Sequence, residues 1–269
     1  MNKARRQERR IALTKILADN PNQLFPLSYF SGMFDTAKST ICEDMEAIRQ
    51  LLEELDLGRL ETVSGAAGGV KFLPWRSADS AHGLLAEVAD KLSAPERIIP
   101  GGFLYMSDIL FMPHLMTRVG EIFLSRFADA GPDCIMTVET KGIPLAFATA
   151  RAFNLPLVIA RRGSRVTEGS SVSINYVTGS SRRIQTMSLP RRAIPQGARV
   201  LIIDDFMKAG GTARGMLDLA QEVGATVVGT GVLVATAEPE QKLIEGYLSL
   251  LILHGVDENN KKTDIRPAI

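Results

Sequence analysis

Cysteine, histidine and tryptophan are scarce in this chain of 269 residues, with two, three and one respectively. Cys42 and Cys134 lie far apart, and His82, His114 and His254 are scattered, so no spacing would hold zinc. Neither a disulfide nor a metal site is expected. No apolar run reaches the roughly 18 residues that span a bilayer, and Met1 to Arg10 lacks the apolar stretch of a signal peptide. A cytoplasmic protein is expected. Internal repeats, low-complexity tracts and a Walker motif are absent, and the pair Gly229-x-Gly231 lacks the third glycine of a dinucleotide fingerprint.

What is present is an ordinary globular composition, 45% hydrophobic and 23% charged, whose net charge of +1 hides an uneven distribution. Residues 1–15 hold Lys3, Arg5, Arg6, Arg9, Arg10 and Lys15 against Glu8 alone. Residues 151–199 hold nine arginines, among them Arg161, Arg162, Arg165, Arg182 and Arg183, against Glu168 alone. Two basic islands in a near-neutral chain point to a polyanionic partner, a nucleic acid or a multiply phosphorylated ligand.

The first 74 residues read as three short helices and a hairpin. A helix over about 4–18 carries Ile11, Leu13, Ile16 and Leu17 among arginines, and a second starts near Pro26. The third opens on Lys38-Ser39-Thr40 and continues with Ile41, Met45, Ile48 and Leu52 at helical spacing. Leu60 to Val63 and Val70 to Leu73 alternate on either side of a turn at Ser64 to Gly69. This order predicts a winged helix. Lys38, Ser39 and Thr40 have the size to reach phosphates and base edges in a major groove, with Lys71 beside the wing and Arg5, Arg6, Arg9 and Arg10 as further DNA contacts. Glu43, Asp44 and Glu46 on the same helix would meet phosphates badly unless that side faces away. Pro74 to Ser80 reads as the junction, with Trp75 a packing anchor between domains.

From residue 75 to 269 strands and helices alternate, which predicts a parallel sheet with helices on both faces. The pivotal stretch is Val200 to Thr212. Four consecutive apolar residues make a buried strand, Asp204 and Asp205 follow, and Gly210-Gly211-Thr212 opens a helix. Unpaired N–H groups at that helix start can wrap a phosphate, and the two acids suit a ligand with hydroxyl donors beside its anion. A ribose 5-phosphate has both. The strand Cys134 to Val138 delivers Thr140, Lys141 and Gly142 to its own C-terminal end, where the two loops should face one another. Arg161 to Arg199 is too long for an ordinary connection and should form a flap with a small β excursion. Tyr247 to Leu253 is expected to end the sheet before a polar tail.

The stretch Asp204-Asp205-Phe206-Met207-Lys208-Ala209-Gly210-Gly211-Thr212 resembles the phosphoribosyl pyrophosphate motif of type I phosphoribosyltransferases, with Ala209 where that family carries a hydroxyl. Together with the helix start at Lys38, the turn Gly65-Ala66-Ala67-Gly68-Gly69-Val70-Lys71 and the run Thr137 to Pro144, it is similar to the purine operon repressors of Gram-positive bacteria. The resemblance implies an α+β winged-helix domain (1–74) followed by an α/β type I phosphoribosyltransferase-like domain (75–269). It further implies a homodimeric repressor of purine synthesis genes with no catalytic residues. Its effector, phosphoribosyl pyrophosphate with Mg²⁺ as a candidate companion, would release operator DNA. The nine residues from Asp204 to Thr212, with Thr140, Lys141, Gly142 and Tyr105, are the implied effector contacts, and a guanosine polyphosphate is a candidate competitor. Two other readings stay open: an active purine phosphoribosyltransferase carrying a DNA-binding domain, and a factor acting on RNA, which lacks an aromatic stacking platform.

Overall fold

The computed structural model describes residues 5–65, 67–163, 169–177 and 184–269. Arg165, Glu168, Arg182, Arg183 and Ala66, which figure in the sequence reading, lie outside the described residues. Two compact units emerge: the chain through Ser77 with the short segment Arg151–Asn154, and the remainder.

In the first unit α1 (Arg6–Asp19), α2 (Leu27–Met33) and α3 (Lys38–Glu54) enclose a core that includes Leu13, Leu17, Phe30, Ile41, Met45 and Ile48. Intervals of three and four residues place Ile41, Met45, Ile48 and Leu52 on one face of α3, and all four are buried. The antiparallel hairpin β1 (Arg59–Val63) and β2 (Gly69–Leu73) closes the core with Leu60 directly opposite Phe72. Phe25 and Val70 exchange two backbone hydrogen bonds of 2.9 Å, so the chain before α2 lies along the wing. Gly69 permits this approach, since a Cβ there would sit 2.2 Å from the Phe25 carbonyl oxygen. Arg49 fastens α3 to the wing, donating from Nε to the Leu60 carbonyl and from Nη2 to Thr62 Oγ1. Trp75 is engaged within this unit, under the Arg59 guanidinium 4.3 Å away.

The second unit begins with α4 (Ala78–Leu92), a miniature hairpin of β3 (Ile98–Ile99) and β4 (Phe103–Leu104), α5 (Ser107–Leu110) and α6 (Pro113–Phe127). Then come β5 (Cys134–Val138), α7 (Ile143–Phe153), β6 (Leu157–Ala160), β7 (Ser171–Val177) and β8 (Ile184–Pro190). The remainder is β9 (Arg199–Met207), α8 (Gly211–Glu222), β10 (Thr226–Thr236), β11 (Leu248–Asp257) and β12 (Lys262–Pro267). Six strands form one sheet in the order β12-β11-β10-β9-β5-β6, parallel except for β12. Val200 to Ile203 on central β9 are wholly buried, which is why four apolar residues run together there.

Two sequence expectations change. The polar tail does not leave the sheet: β12 pairs antiparallel with β11, burying only Ile265. An edge strand with one covered face needs few apolar residues, so composition hides it. Within the excursion between β6 and β9, β7 and β8 pair antiparallel, as a β excursion leads one to expect, but one face of the pair belongs to the core. Val172, Tyr176, Met187 and Leu189 are buried against α8, where Gly215 leaves room for the Tyr176 ring. Among the described residues no helix is long and apolar enough to cross a membrane.

Candidate functional site

In the sheet β5 and β9 are neighbours, and the connection after β5 runs to β6 on one side while that after β9 runs to β10 on the other; the crevice over such a reversal is where open α/β sheets bind ligands. A cleft of about 490 Å³ opens there, lined by the whole run Asp204 to Ala213 together with Lys141, Arg162, Tyr176 and Gln185. A second cavity of about 370 Å³ adjoins it, lined by Glu139, Thr140, Lys141, Arg162, Asp204, Asp205, Phe206 and Thr212. The lobes share the two aspartates. One is floored by the loop after β9, the other by the loop after β5.

Local geometry turns the β9 loop into an anion cradle. Gly210 takes a positive φ of 83° and starts α8, which has no side-chain cap and no acid in its first turn. The Ala209 carbonyl accepts a hydrogen bond from Leu243 N–H at 2.9 Å and the Lys208 carbonyl one from Thr236 Oγ1 at 3.3 Å. Because a trans peptide points its C=O and N–H in opposite directions, the Ala209 carbonyl, committed to Leu243, turns the Gly210 amide the other way. With the orphan amides of α8 it offers several donors to one anion. Lys208 is exposed and lines the cleft, in place to supply charge where Ala209 lacks a hydroxyl.

Asp204 is 5% exposed and its Oδ1 accepts the Asp205 amide at 3.0 Å. Burial, then the neighbouring Asp205 charge, raises the Asp204 carboxyl well above the ordinary carboxylate range. Burial also raises Asp205, against which Lys141 works. Burial lifts the Tyr176 phenol as well, while its O–H donates to Gln185 Oε1 at 2.9 Å.

Most expected effector residues converge here, with two exceptions. Gly142 does not line either lobe; it is buried behind them, and a Cβ would lie 2.6 Å from Thr137 Oγ1 and 2.7 Å from Asp204 Oδ1. Its function is to let the β5 loop press against the Asp204 carboxylate. Gly142→Ala is therefore expected to destabilise the second unit by about 1–3 kcal/mol through overpacking and to weaken effector binding on the order of tenfold. Thermal melts and calorimetry would check both, and an unchanged binding isotherm would count against this role. Tyr105 is 45% exposed and lies outside the cleft, whereas its neighbours Leu104 and Met106 line it. Sequence reasoning missed Gly101, Gly102, Phe103, Arg162, Gln185, Thr236 and Leu253, all on the cleft wall. Only Arg162 carried a signal, as part of the second basic island.

On the first unit, Lys38 and Ser39 are exposed and Thr40 half-buried at the start of α3, which has no side-chain cap. Arg5 is exposed. The other basic residues are more engaged than expected. Arg9 is 6% exposed and bound to Asp44, which takes it off the surface as a DNA contact. Arg6 and Arg10 also reach Asp44. Lys71 pairs with Glu61 directly across the hairpin at 3.3 Å, so opposite charges on the wing offset each other. Asp44 itself points into the core, the orientation its sequence position required.

Domain models match in both halves: the N-terminal domain of bacterial purine repressors over residues 5–74 and the phosphoribosyl transferase domain over 107–263. Solved structures agree on the fold, with adenine phosphoribosyltransferase from Thermoanaerobacter pseudethanolicus at a TM-score of 0.53 and 19% identity over 62% of this chain and 98% of its own. The class is thus a purine-repressor N-terminal domain joined to a phosphoribosyltransferase domain. The purine biosynthesis transcriptional repressor PurR of Bacillus subtilis is 48% identical over 98% of this chain and 93% of its own. The purine biosynthesis transcriptional activator PurR of Lactococcus lactis is 37% identical over 97% of each. The chain belongs to the PurR family of purine biosynthesis transcriptional regulators. A xanthine phosphoribosyltransferase from Geobacillus thermodenitrificans is 32% identical over 57% of this chain and 81% of its own.

Proposed function

We propose that this protein is a DNA-binding repressor of purine biosynthesis genes whose operator binding is relieved by phosphoribosyl pyrophosphate. The carrying observation is the pair of lobes meeting over Asp204 and Asp205. Phosphoribosyl pyrophosphate has an anion at each end of a ribose and vicinal hydroxyls between. The amide cradle at Gly210 to Ala213 suits the 5-phosphate, the loop with Thr140 and Lys141 suits the pyrophosphate, and the carboxylates suit the hydroxyls. Mg²⁺ would travel with the pyrophosphate. Among the described residues no group of three or more His, Cys, Asp or Glu is placed to hold a metal ion, so these side chains would add only Asp204 and Asp205 near the ribose.

The site is read as a sensor. Ala209 removes a hydroxyl that the transferase motif uses, and the relatives matching along almost the whole chain carry regulator names, whereas the transferases match just over half. Effector and duplex are both polyanions, so one disfavours the other, and by linkage DNA weakens the effector by the same factor. Two copies would present two reading helices to an operator, and a guanosine polyphosphate offers the same ribose and anion features to the cleft.

The test is retention of a duplex from its own purine control region, with and without phosphoribosyl pyrophosphate. Retention that falls as effector rises supports the proposal; retention indifferent to saturating effector sinks it. Incubation with phosphoribosyl pyrophosphate, Mg²⁺ and each purine base should yield no nucleotide, and nucleotide formation would return the protein to the enzymes.

A further inference from the structure

Asp44 places an acid on the helix that is read here as facing DNA, and it is fully buried among Ile41, Met45 and Ile48. A carboxylate in such a place needs charged hydrogen-bonding partners. Helix α1 supplies two, Arg9 Nε at 2.5 Å from Oδ2 and Arg10 Nε at 2.8 Å from Oδ1, and adds an ion pair without a hydrogen bond from Arg6 Nε at 3.7 Å from Oδ1. Positions 6, 9 and 10 recur at the three- and four-residue spacing of one helix face. Their exposure is graded. The side chains are 7% accessible at Arg9, 31% at Arg10 and 63% at Arg6.

One negative charge thus meets three positive ones, and the surplus is held in a fixed place. Asp44 lies six residues, about 9 Å along the axis, from Lys38 at the helix start, less than the ~12 Å width of a major groove. A first turn seated in the groove would bring the two accessible arginines to its phosphate wall. Arg49, bonded to Leu60 and Thr62, fixes the same helix from the wing side, so α3 is held on two flanks.

We infer that Asp44 is a positioning residue for DNA, holding Arg6 and Arg10 as a preorganised phosphate clamp beside the first turn of α3 with Arg9 as the buried tie. This rests on the DNA-binding reading above. A purely structural cluster would change the melting temperature and leave binding by the folded protein untouched. The near-isosteric Asp44→Asn separates the ideas, because it also removes a negative charge. Charge counting predicts tighter binding to any duplex. Positioning predicts the reverse for the control-region duplex: a loss on the order of tenfold, with binding to an unrelated duplex unchanged or tighter.

Arg6→Gln and Arg10→Gln keep the Arg9 pair, and each should reduce the slope of log affinity against log salt by about 0.9. If Asp44→Asn fails to fold, as seen by circular dichroism, those two variants decide the matter alone. Wild-type protein that cannot distinguish its control region from an unrelated duplex would remove the DNA-binding reading itself. Discrimination by the wild type, together with an unchanged ratio in folded Asp44→Asn or, where it does not fold, unchanged slopes in both glutamine variants, overturns this inference only.

Discussion

Replacing Asp204 and Asp205 together by alanine is expected to leave operator affinity in place and weaken phosphoribosyl pyrophosphate by about 100-fold or more. Hydrogen bonds to charged groups contribute roughly 1.5–3 kcal/mol each, and two lost at the lower figure already amount to two decades. The fold should survive. Asp204 is buried and Asp205 half-buried beside it, burial raises both, and removing them relieves an electrostatic penalty. Gel shift gives the operator affinity and calorimetry the effector affinity. A double variant whose operator complex still dissolves at wild-type effector concentrations would move the effector site elsewhere.

The sign of the pH dependence follows from the same pair. A carboxyl raised in the folded state binds its proton more tightly there than in the unfolded chain. Its stabilising contribution is complete below the ordinary carboxylate range and is lost as pH rises through the raised folded value. At neutral pH the unliganded protein therefore carries a cost that Asp204→Asn removes. That variant should melt higher than wild type near pH 7 and equally near pH 4. An effector presenting hydroxyl donors needs both carboxylates as acceptors, so its affinity should rise with pH across the range in which the raised carboxyl titrates. Calorimetric titrations at a series of pH values would check it.

The strand, acid pair and glycine turn of β9 and α8 were legible because a doubly buried strand leaves an unbroken apolar run, and a phosphate cradle demands glycine at fixed offsets. The three helices and the wing showed through the spacing of Ile41, Met45, Ile48 and Leu52 and through the glycines between β1 and β2. The cleft wall at Gly101, Gly102, Phe103, Leu104 and Met106 did not show. Two-residue strands have no period to detect, and their glycines look like any turn. Nor could the chain order reveal that Arg9 meets Asp44, since the contact joins residues 35 positions apart. The inward turn of that acid follows only from the 3.6-residue period, which puts position 44 beside 41, 45 and 48.

The pair Gly229-x-Gly231, empty of meaning as a nucleotide fingerprint, has a packing explanation that yields the largest stability effect expected here. Neither glycine adopts left-handed backbone; what each provides is room. A Cβ at Gly231 would lie 2.6 Å from Phe123 Cε1 and 3.0 Å from Ile203 Cδ1, and one at Gly229 2.7 Å from Phe127 Cε1. Phe123 and Phe127, one turn apart on α6 and stacked at 6.3 Å, thus rest directly on β10. Gly231→Val would have to lift α6 from the sheet, at a cost of about 3 kcal/mol or more, which lowers the melting temperature of a unit this size by roughly 6–12 °C. Gly255→Val, on β11 with nothing within 4 Å of its Cβ, should stay close to wild type. Trimming the obstacle should help: Phe123→Leu in the Gly231→Ala background is expected to recover part of the loss, since the two side chains compete for one space and their effects cannot add. Equal melting of Gly231→Val and Gly255→Val would refute the packing account and leave the glycine pair unexplained.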